Sequence, residues 1–192
     1  VLLKLAEDHQ QGEILRFWEA HQYFIVLGRI GKLHEEVCTD TACQDNIKVL
    51  RRASGGGTVL QGKGCLNYTL ILSKHKKDIQ DLKRSYEYIL AKVVSSLQQL
   101  KVDCEYLPIS DIALRANKKK ISGNAQKRGR HYIMHHGTLL IDFDLDKISQ
   151  YLTMPKDMPA YRQNRSHQDF VSNIGVEKDQ FKQALQRSFR AQ

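Results

Sequence analysis

Three features of the sequence predict an α+β fold. Strand-like runs far outnumber helical ones between residues 13 and 72, and again between 101 and 143. A single long amphipathic pattern, Ile79 to Leu100, separates these two regions. A doubly wound parallel sheet would need a helix after each strand, and none is written there. The expected architecture is therefore mixed or antiparallel β-sheets flanked by helices, with the long helix packed on one face. Residues 1–192 read as a single domain, without internal repeat or linker.

The elements follow in order. Val1–Gln11 carries Leu2, Leu3 and Leu5 and reads as the end of a helix. Because the chain opens inside that pattern, an upstream segment is expected to be missing. Glu13–Trp18 and Tyr23–Leu27 read as strands joined by a polar turn, the second ended by Gly28. Leu33–Gln44 is polar and reads as helical. Lys48–Arg51 is a short strand leading into a glycine run. Thr58–Leu60 and Leu66–Leu72 form an expected strand pair around the turn Gln61–Gly64.

The long helix shows Ile79, Leu82, Tyr86, Ile89, Val93, Leu97 and Leu100 at three- and four-residue steps, with Asp78 as the expected N-cap. Val102–Leu107, Asp111–Leu114, Lys120–Ala125 and His131–Phe143 read as strands. A short helix near Asp146–Tyr151 follows. Pro155 and Pro159 mark an exposed loop, and Glu177–Phe189 reads as a closing helix.

Composition narrows the function. Thirty Lys and Arg against twenty-one Asp and Glu give a net charge of +9. Such a field favours anionic partners. No apolar stretch approaches the ~18 residues of a membrane span, so no membrane partnership is expected. The four cysteines are Cys38, Cys43, Cys65 and Cys104. Their spacing fits no zinc motif, so no metal site is expected. With no secretory signal, a reducing, cytoplasmic setting is expected.

Four stretches could carry chemistry. Arg51-Arg52-Ala53-Ser54-Gly55-Gly56-Gly57-Thr58-Val59 places three glycines between strands. Glycine loses the most backbone entropy on folding, so such a run fits where a ligand lies against bare backbone. Its N–H groups can form an anion-binding nest, and arginine suits phosphate or carboxylate. It is neither a P-loop nor a GxGxxG fingerprint. In Lys118-Lys119-Lys120-Ile121-Ser122-Gly123-Asn124-Ala125-Gln126, regular alternation places Lys120, Ser122 and Asn124 on one face. That lysine could neutralise charge on an acyl phosphate; a solvated basic hairpin is the alternative. His135-His136-Gly137-Thr138-Leu139-Leu140 offers a hydrogen-bonding histidine beside a glycine. Asp111 opens an apolar strand, either as a turn cap or as an acid near a nucleotide.

The order of these stretches resembles the lipoate–protein ligase and octanoyltransferase family, within the larger biotin/lipoate protein ligase group. RRASGGGTV is similar to that family's lipoyl-binding loop, KKISGNAQ to its lysine motif, and HHGTLL to its third motif. Leu15-Arg16-Phe17-Trp18 and Val26-Leu27-Gly28-Arg29 resemble its first strands, so the match covers nearly the whole chain. The resemblance implies a biotin/lipoate protein ligase-like catalytic domain. It implies that lipoate is activated with ATP to lipoyl-AMP and that the lipoyl group passes to a lysine. The implied acceptor is an acidic lipoyl domain of a 2-oxoacid dehydrogenase E2 or the glycine-cleavage H protein. ATP, Mg2+ carried with the nucleotide, and lipoic acid as substrate are implied with it.

By the same resemblance Lys120 is the catalytic cation at the acyl carbonyl and phosphate. Arg52, Ser54, Gly55, Gly56 and Gly57 line the acyl chain and phosphate, and Thr58 and Val59 run beside adenine. Asp111 is the acid near the phosphate and the incoming lysine. Ser122, Ala125, His136, Gly137, Thr138 and Leu139 complete the implied pocket. Gln61 departs from the histidine common there, and no C-terminal accessory domain like that of bacterial ligases is expected. A separate accessory-domain protein is one answer. The other is an octanoyl- or lipoyltransferase using a cysteine nucleophile and an acyl-carrier or acyl-protein donor. Cys104 is the candidate thiol, although Asp103 and Glu105 beside it would raise its pKa. A basic nucleic-acid-binding module is the non-enzyme alternative, with no nucleic-acid partner expected under the ligase reading.

Overall fold

A computed structural model describes residues 1–9 and 12–190; the last two residues of the expected opening helix, Gln10 and Gln11, lie outside the described residues. The first half runs α1 (Leu2–His9), β1 (Ile14–Glu19), β2 (Phe24–Leu27), α2 (Leu33–Glu36), α3 (Thr39–Gln44), β3 (Lys48–Arg51), β4 (Val59–Gln61) and β5 (Cys65–Ser73). Then come α4 (Lys77–Gln80), α5 (Leu82–Gln99), β6 (Cys104–Leu107), β7 (Asp111–Leu114), β8 (Lys120–Arg128) and β9 (Tyr132–Leu140). The chain closes with α6 (Asp146–Tyr151), one 3-10 turn (Ala160–Arg162), α7 (His167–Phe170) and α8 (Lys178–Arg190).

The apolar run of β5 is buried from Cys65 to Leu72, as a strand covered on both faces must be. It lies inside an antiparallel six-stranded sheet ordered β1-β5-β9-β8-β7-β6. A second, three-stranded sheet is ordered β3-β2-β4, with β2 parallel to β3 and antiparallel to β4. The fold is thus α+β with mixed sheets, as expected. The expected pairing of Thr58–Leu60 with Leu66–Leu72 is corrected. β1 pairs with β5 and β2 with β4, so neighbours in sequence sit in different sheets. Alternation marks a strand, but its partner is chosen by which apolar faces meet.

One face of the large sheet packs on α5 and α8. Leu66, Tyr68, Leu70 and Leu139 meet Ile89, Val93, Leu97, Phe181 and Leu185 in the main core. The opposite face is covered by α1 at one end, through Ala6, Ile71 and Tyr132. At the other end a second core forms from Ile25, Leu27, Leu60, Cys65, Phe143 and Tyr151. The glycine run crosses this same face.

The long helix begins later than its apolar pattern implies. Ile79 belongs to the separate single turn α4, and Asp81 is extended. Asp81, not Asp78, caps α5: its Oδ1 accepts from the Arg84 N–H at 2.9 Å. The expected helix over 33–44 is two short ones, broken at Val37 and Cys38. The Pro155–Pro159 loop opens a strap, residues 153–172, that crosses the start of β8. There the Ser172 N–H donates to the Lys120 carbonyl at 3.0 Å.

Candidate active site

The lysine at the head of β8 is aimed by an irregularity. Ile112 lies opposite Ser122, but Ala113 lies opposite Lys120, so Ile121 is an extra residue on β8. Such a bulge resets the alternation of faces. Lys120 therefore lies over Gly123, where a Cβ would stand 3.0 Å from Nζ. Asp111, the register partner of Gly123, meets Lys120 Nζ through Oδ1 at 2.7 Å. Its other oxygen, Oδ2, accepts from the Tyr161 hydroxyl at 2.7 Å. The Lys120 side chain is 29% exposed, so an incoming anion can still reach it.

The bulge also corrects the expected shared face. Ser122 and Asn124 turn towards the main core, where Asn124 Nδ2 donates to Ser122 Oγ at 3.2 Å and the Tyr68 hydroxyl donates to Asn124 Oδ1. Lys120 points to the other side, with Asp111 and the glycine.

The glycine run is held from behind. Buried Ser54 joins its Oγ to His136 Nε2 at 2.6 Å, and its carbonyl accepts from the Arg29 N–H at 2.9 Å. Arg52 donates to the carbonyls of Gly55 at 2.7 Å, Gly57 at 2.8 Å and Val26 at 3.2 Å. Arg51 donates to Gly28 at 2.9 Å and Gly31 at 2.7 Å. Arg52 therefore braces the glycine loop itself, and Arg51 the 28–31 segment behind it. Gly56 has φ +89°, a conformation suited to glycine, and a Cβ on Gly28 would overlap the Gly56 carbonyl. Thr58 Oγ1 donates to Glu36 Oε2 at 2.6 Å and fixes the far end. The front is bare: a Cβ on Gly55 or Gly57 would meet nothing within 4 Å.

Loop and lysine share one face of the large sheet. His136 lies opposite Ala125, two residues along β8 from Gly123. At about 3.3 Å per residue, that is a step on the order of 7 Å. Burial, and then the Arg52 cation, push the His136 pKa down to about 4. Burial pushes His135 down to about 3, with His136 adding to it. At neutral pH both imidazoles are thus uncharged hydrogen-bonding groups. A bare backbone arc beside an ammonium suits an anion carrying an extended chain.

Comparison with known proteins gives this arrangement its family. Residues 1–190 match the profile of the lipoyl protein ligase A/B catalytic domain. The chain belongs to that family. It is 30% identical over 173 residues to a probable lipoate-protein ligase A of Mycoplasma pneumoniae, covering 88% of this chain and 49% of that protein. It superimposes at TM-score 0.80 and 27% identity on a Thermoplasma acidophilum structure, covering 97% of this chain and 76% of that one. That structure is described as a bi-partite lipoate protein ligase and its E2 lipoyl domain. A lipoate-protein ligase A structure bound with ATP matches at TM-score 0.78 and 27% identity, over 96% of this chain and 75% of that one. The chain spans about half the length of curated relatives such as the Mycoplasma protein and a Bacillus subtilis ligase.

Within this lipoyl ligase-family domain the expected site residues divide by face. Lys120, Asp111, Ala125, His136 and Thr138 lie on the open face, with the loop from Arg52 through Thr58 to Val59 against it. Ser122, Gly137 and Leu139 lie on the core face. Gly137 sits against Tyr68 and Asn124, and Leu139 is fully buried in the main core. Tyr161 and the strap that carries it were missed from sequence, as was Glu36 on Thr58. The available signal was an aromatic and two arginines, Arg162 and Arg165, in a loop that a solvated segment would not need.

Cys104 and Cys65 are poor nucleophiles here. Cys104 begins β6 fully buried, and burial, with Asp103 beside it, pushes its pKa up to about 11. Burial, with Glu19, pushes Cys65 up to about 12. Among the described residues, no group of three His, Cys, Asp or Glu side chains could hold a metal ion, and no helix is long and apolar enough to cross a membrane.

Proposed function

We propose that residues 1–192 form the catalytic domain of a lipoate–protein ligase. A lipoate carboxylate oxygen attacks the α-phosphorus of ATP, and the bond to pyrophosphate breaks. A lysine amine of a lipoyl domain then attacks the acyl carbon of lipoyl-AMP. The bond to AMP breaks, AMP leaves with the electron pair, and the new amide sheds a proton to solvent. The observation that carries this reading is the Lys120 ammonium, 2.7 Å from Asp111, on the same sheet face as the glycine loop anchored by Ser54 and His136.

Each residue then has a task. The bare fronts of Gly55 and Gly57 take the acyl chain and phosphate, where a side chain would stand in the way. Arg52, Ser54 and His136 keep that loop in shape, and Thr58 and Val59 continue it beside the adenine. Lys120 neutralises charge growing on the phosphate and the carbonyl oxygen. Asp111 holds Lys120. Ala125 and Thr138 floor the face, while Ser122, Gly137 and Leu139 support it from the core side. A magnesium ion brought by the nucleotide would neutralise phosphate charge; both oxygens of Asp111 already have partners, Lys120 and Tyr161, so the ion's donors would come from the phosphates.

The relatives' descriptions support ATP, lipoate and an E2 lipoyl domain as partners. The acceptor is an acidic lipoyl domain of a 2-oxoacid dehydrogenase E2 or an H protein, and a separate accessory protein serves the adenylation step. Four free cysteines suit a cytoplasmic setting. The test supplies the purified chain with lipoate and Mg-ATP, or with preformed lipoyl-AMP, and a lipoyl domain. Pyrophosphate release or a lipoyl mass increment on the acceptor is expected. If only acyl-thioester donors work and Cys104→Ser abolishes turnover, the reading is overturned.

A further inference from the structure

We propose that Tyr161 is a positioning residue for the Asp111–Lys120 pair, keeping the ammonium free to serve the reacting phosphate and carbonyl. The inference rests on the ligase reading and deepens it. Asp111 has two oxygens and two partners: Oδ1 meets Lys120 and Oδ2 accepts from Tyr161, each at 2.7 Å. With Oδ2 occupied, the carboxylate cannot turn to grip the ammonium with both oxygens. The hydrogen bond also draws charge away from the carboxylate, which loosens its hold on Lys120. Burial, with Asp111 beside it, raises the pKa of the Tyr161 phenol well above its ordinary value, so the hydroxyl stays protonated and donates.

The strap delivers this hydroxyl in a fixed frame. Arg165 donates to the carbonyls of Asn117 at 3.1 Å, Lys118 at 3.1 Å and Tyr161 itself at 2.9 Å. Buried Arg162 stacks 4.5 Å over the Phe170 ring, and the Tyr161 ring lies 5.3 Å from the same ring. The Ser172 N–H is bonded to the Lys120 carbonyl. The strap begins on Glu35 and Glu36 through Thr153, and its stretch around Tyr161 is anchored on the backbone of residues 117–120, the segment that presents the lysine. Phenol, carboxylate and ammonium are thus joined in one hydrogen-bonded chain. A tyrosine needed only for packing against Phe170 would not require its hydroxyl to meet a buried carboxylate.

The test is Tyr161→Phe, which deletes one oxygen and keeps the ring. Transfer from preformed lipoyl-AMP to a lipoyl domain is measured at saturating and subsaturating acceptor. The kcat is expected to fall about tenfold, with the acceptor KM changed less than about twofold, as befits losing a hydrogen bond to a charged group. Tyr151→Phe removes a similar phenol, bonded to Asp45 at 2.8 Å in the second core, and should leave kcat unchanged. Tyr161 acts through Asp111, so Tyr161→Phe in an Asp111→Asn background should cost nothing further. A wild-type kcat in Tyr161→Phe, a loss confined to KM, or additive losses in the double variant overturns the inference alone. A wild-type chain that neither adenylates nor transfers overturns the ligase reading, and the inference falls with it.

Discussion

Replacing Lys120 by alanine removes an ammonium from a half-exposed position, so the fold should survive. Loss of one preorganised charge at a developing oxyanion costs about 10²–10³ in rate, and lipoyl transfer by Lys120→Ala should fall by that much with the circular dichroism spectrum unchanged. Near-normal transfer would remove Lys120 from the mechanism. The histidines give a second expectation at this scale. His136 and His135 sit at about 4 and about 3, below their unfolded value of 6.5. The unfolded chain therefore takes up their protons first as pH falls, and stability is lost from pH 6.5 down to about 4 for His136 and about 3 for His135. For His136 alone the loss is roughly 3 kcal/mol at 1.36 kcal/mol per pKa unit. Urea midpoints should drop across that window, and His136→Gln, which can still bond Ser54, should flatten the slope. An equal slope in both proteins would show that His136 titrates normally. The identity of Lys120 was legible from its motif, but its direction was not. One bulged residue, Ile121, decides the face, and nothing in the Lys120–Ala125 alternation announces it.

The glycine loop separates two kinds of glycine. Gly55→Ala meets open space, so stability should stay within about 1 kcal/mol of wild type. The added methyl would occupy the bare front of the loop, and calorimetry should show weaker binding of a stable lipoyl-AMP analogue. Gly28→Ala pushes into the Gly56 carbonyl from behind and should destabilise the fold by about 1–3 kcal/mol in urea unfolding. If both variants bind the analogue like wild type, the loop does not hold the ligand. The loop was legible because three glycines in a strand context have few other uses. The strand partners were not, because β1 and β2 carry the same apolar alternation yet bury it in different cores. The start of the long helix was misplaced for a related reason. Ile79 continues the apolar stripe of α5, but extended Asp81 intervenes and supplies the cap. The strap was invisible because its residues follow no period; Tyr161 is placed by Arg165 and Phe170, contacts that exist only once the chain is folded.

At the scale of the molecule, charge was the most legible property, and it bears on docking. A net charge of +9 creates a long-range field that steers an acidic partner without touching the chemistry. Lys120 and Asp111 are screened far less, because their separation is well under a Debye length of about 8–10 Å at ordinary ionic strength. Raising salt should therefore act on encounter and leave the bound complex nearly alone. From about 50 to about 500 mM salt, the KM for an acidic lipoyl domain should rise roughly tenfold while kcat stays within about twofold. An acceptor whose surface acids are replaced by amides should start with the higher KM and show little salt dependence. A salt-insensitive KM for the acidic acceptor would mean that docking relies on local contacts, and the basic surface would then need another anionic partner. A kcat that falls in step with rising salt would mean instead that ions reach the Asp111–Lys120 pair during turnover and screen it.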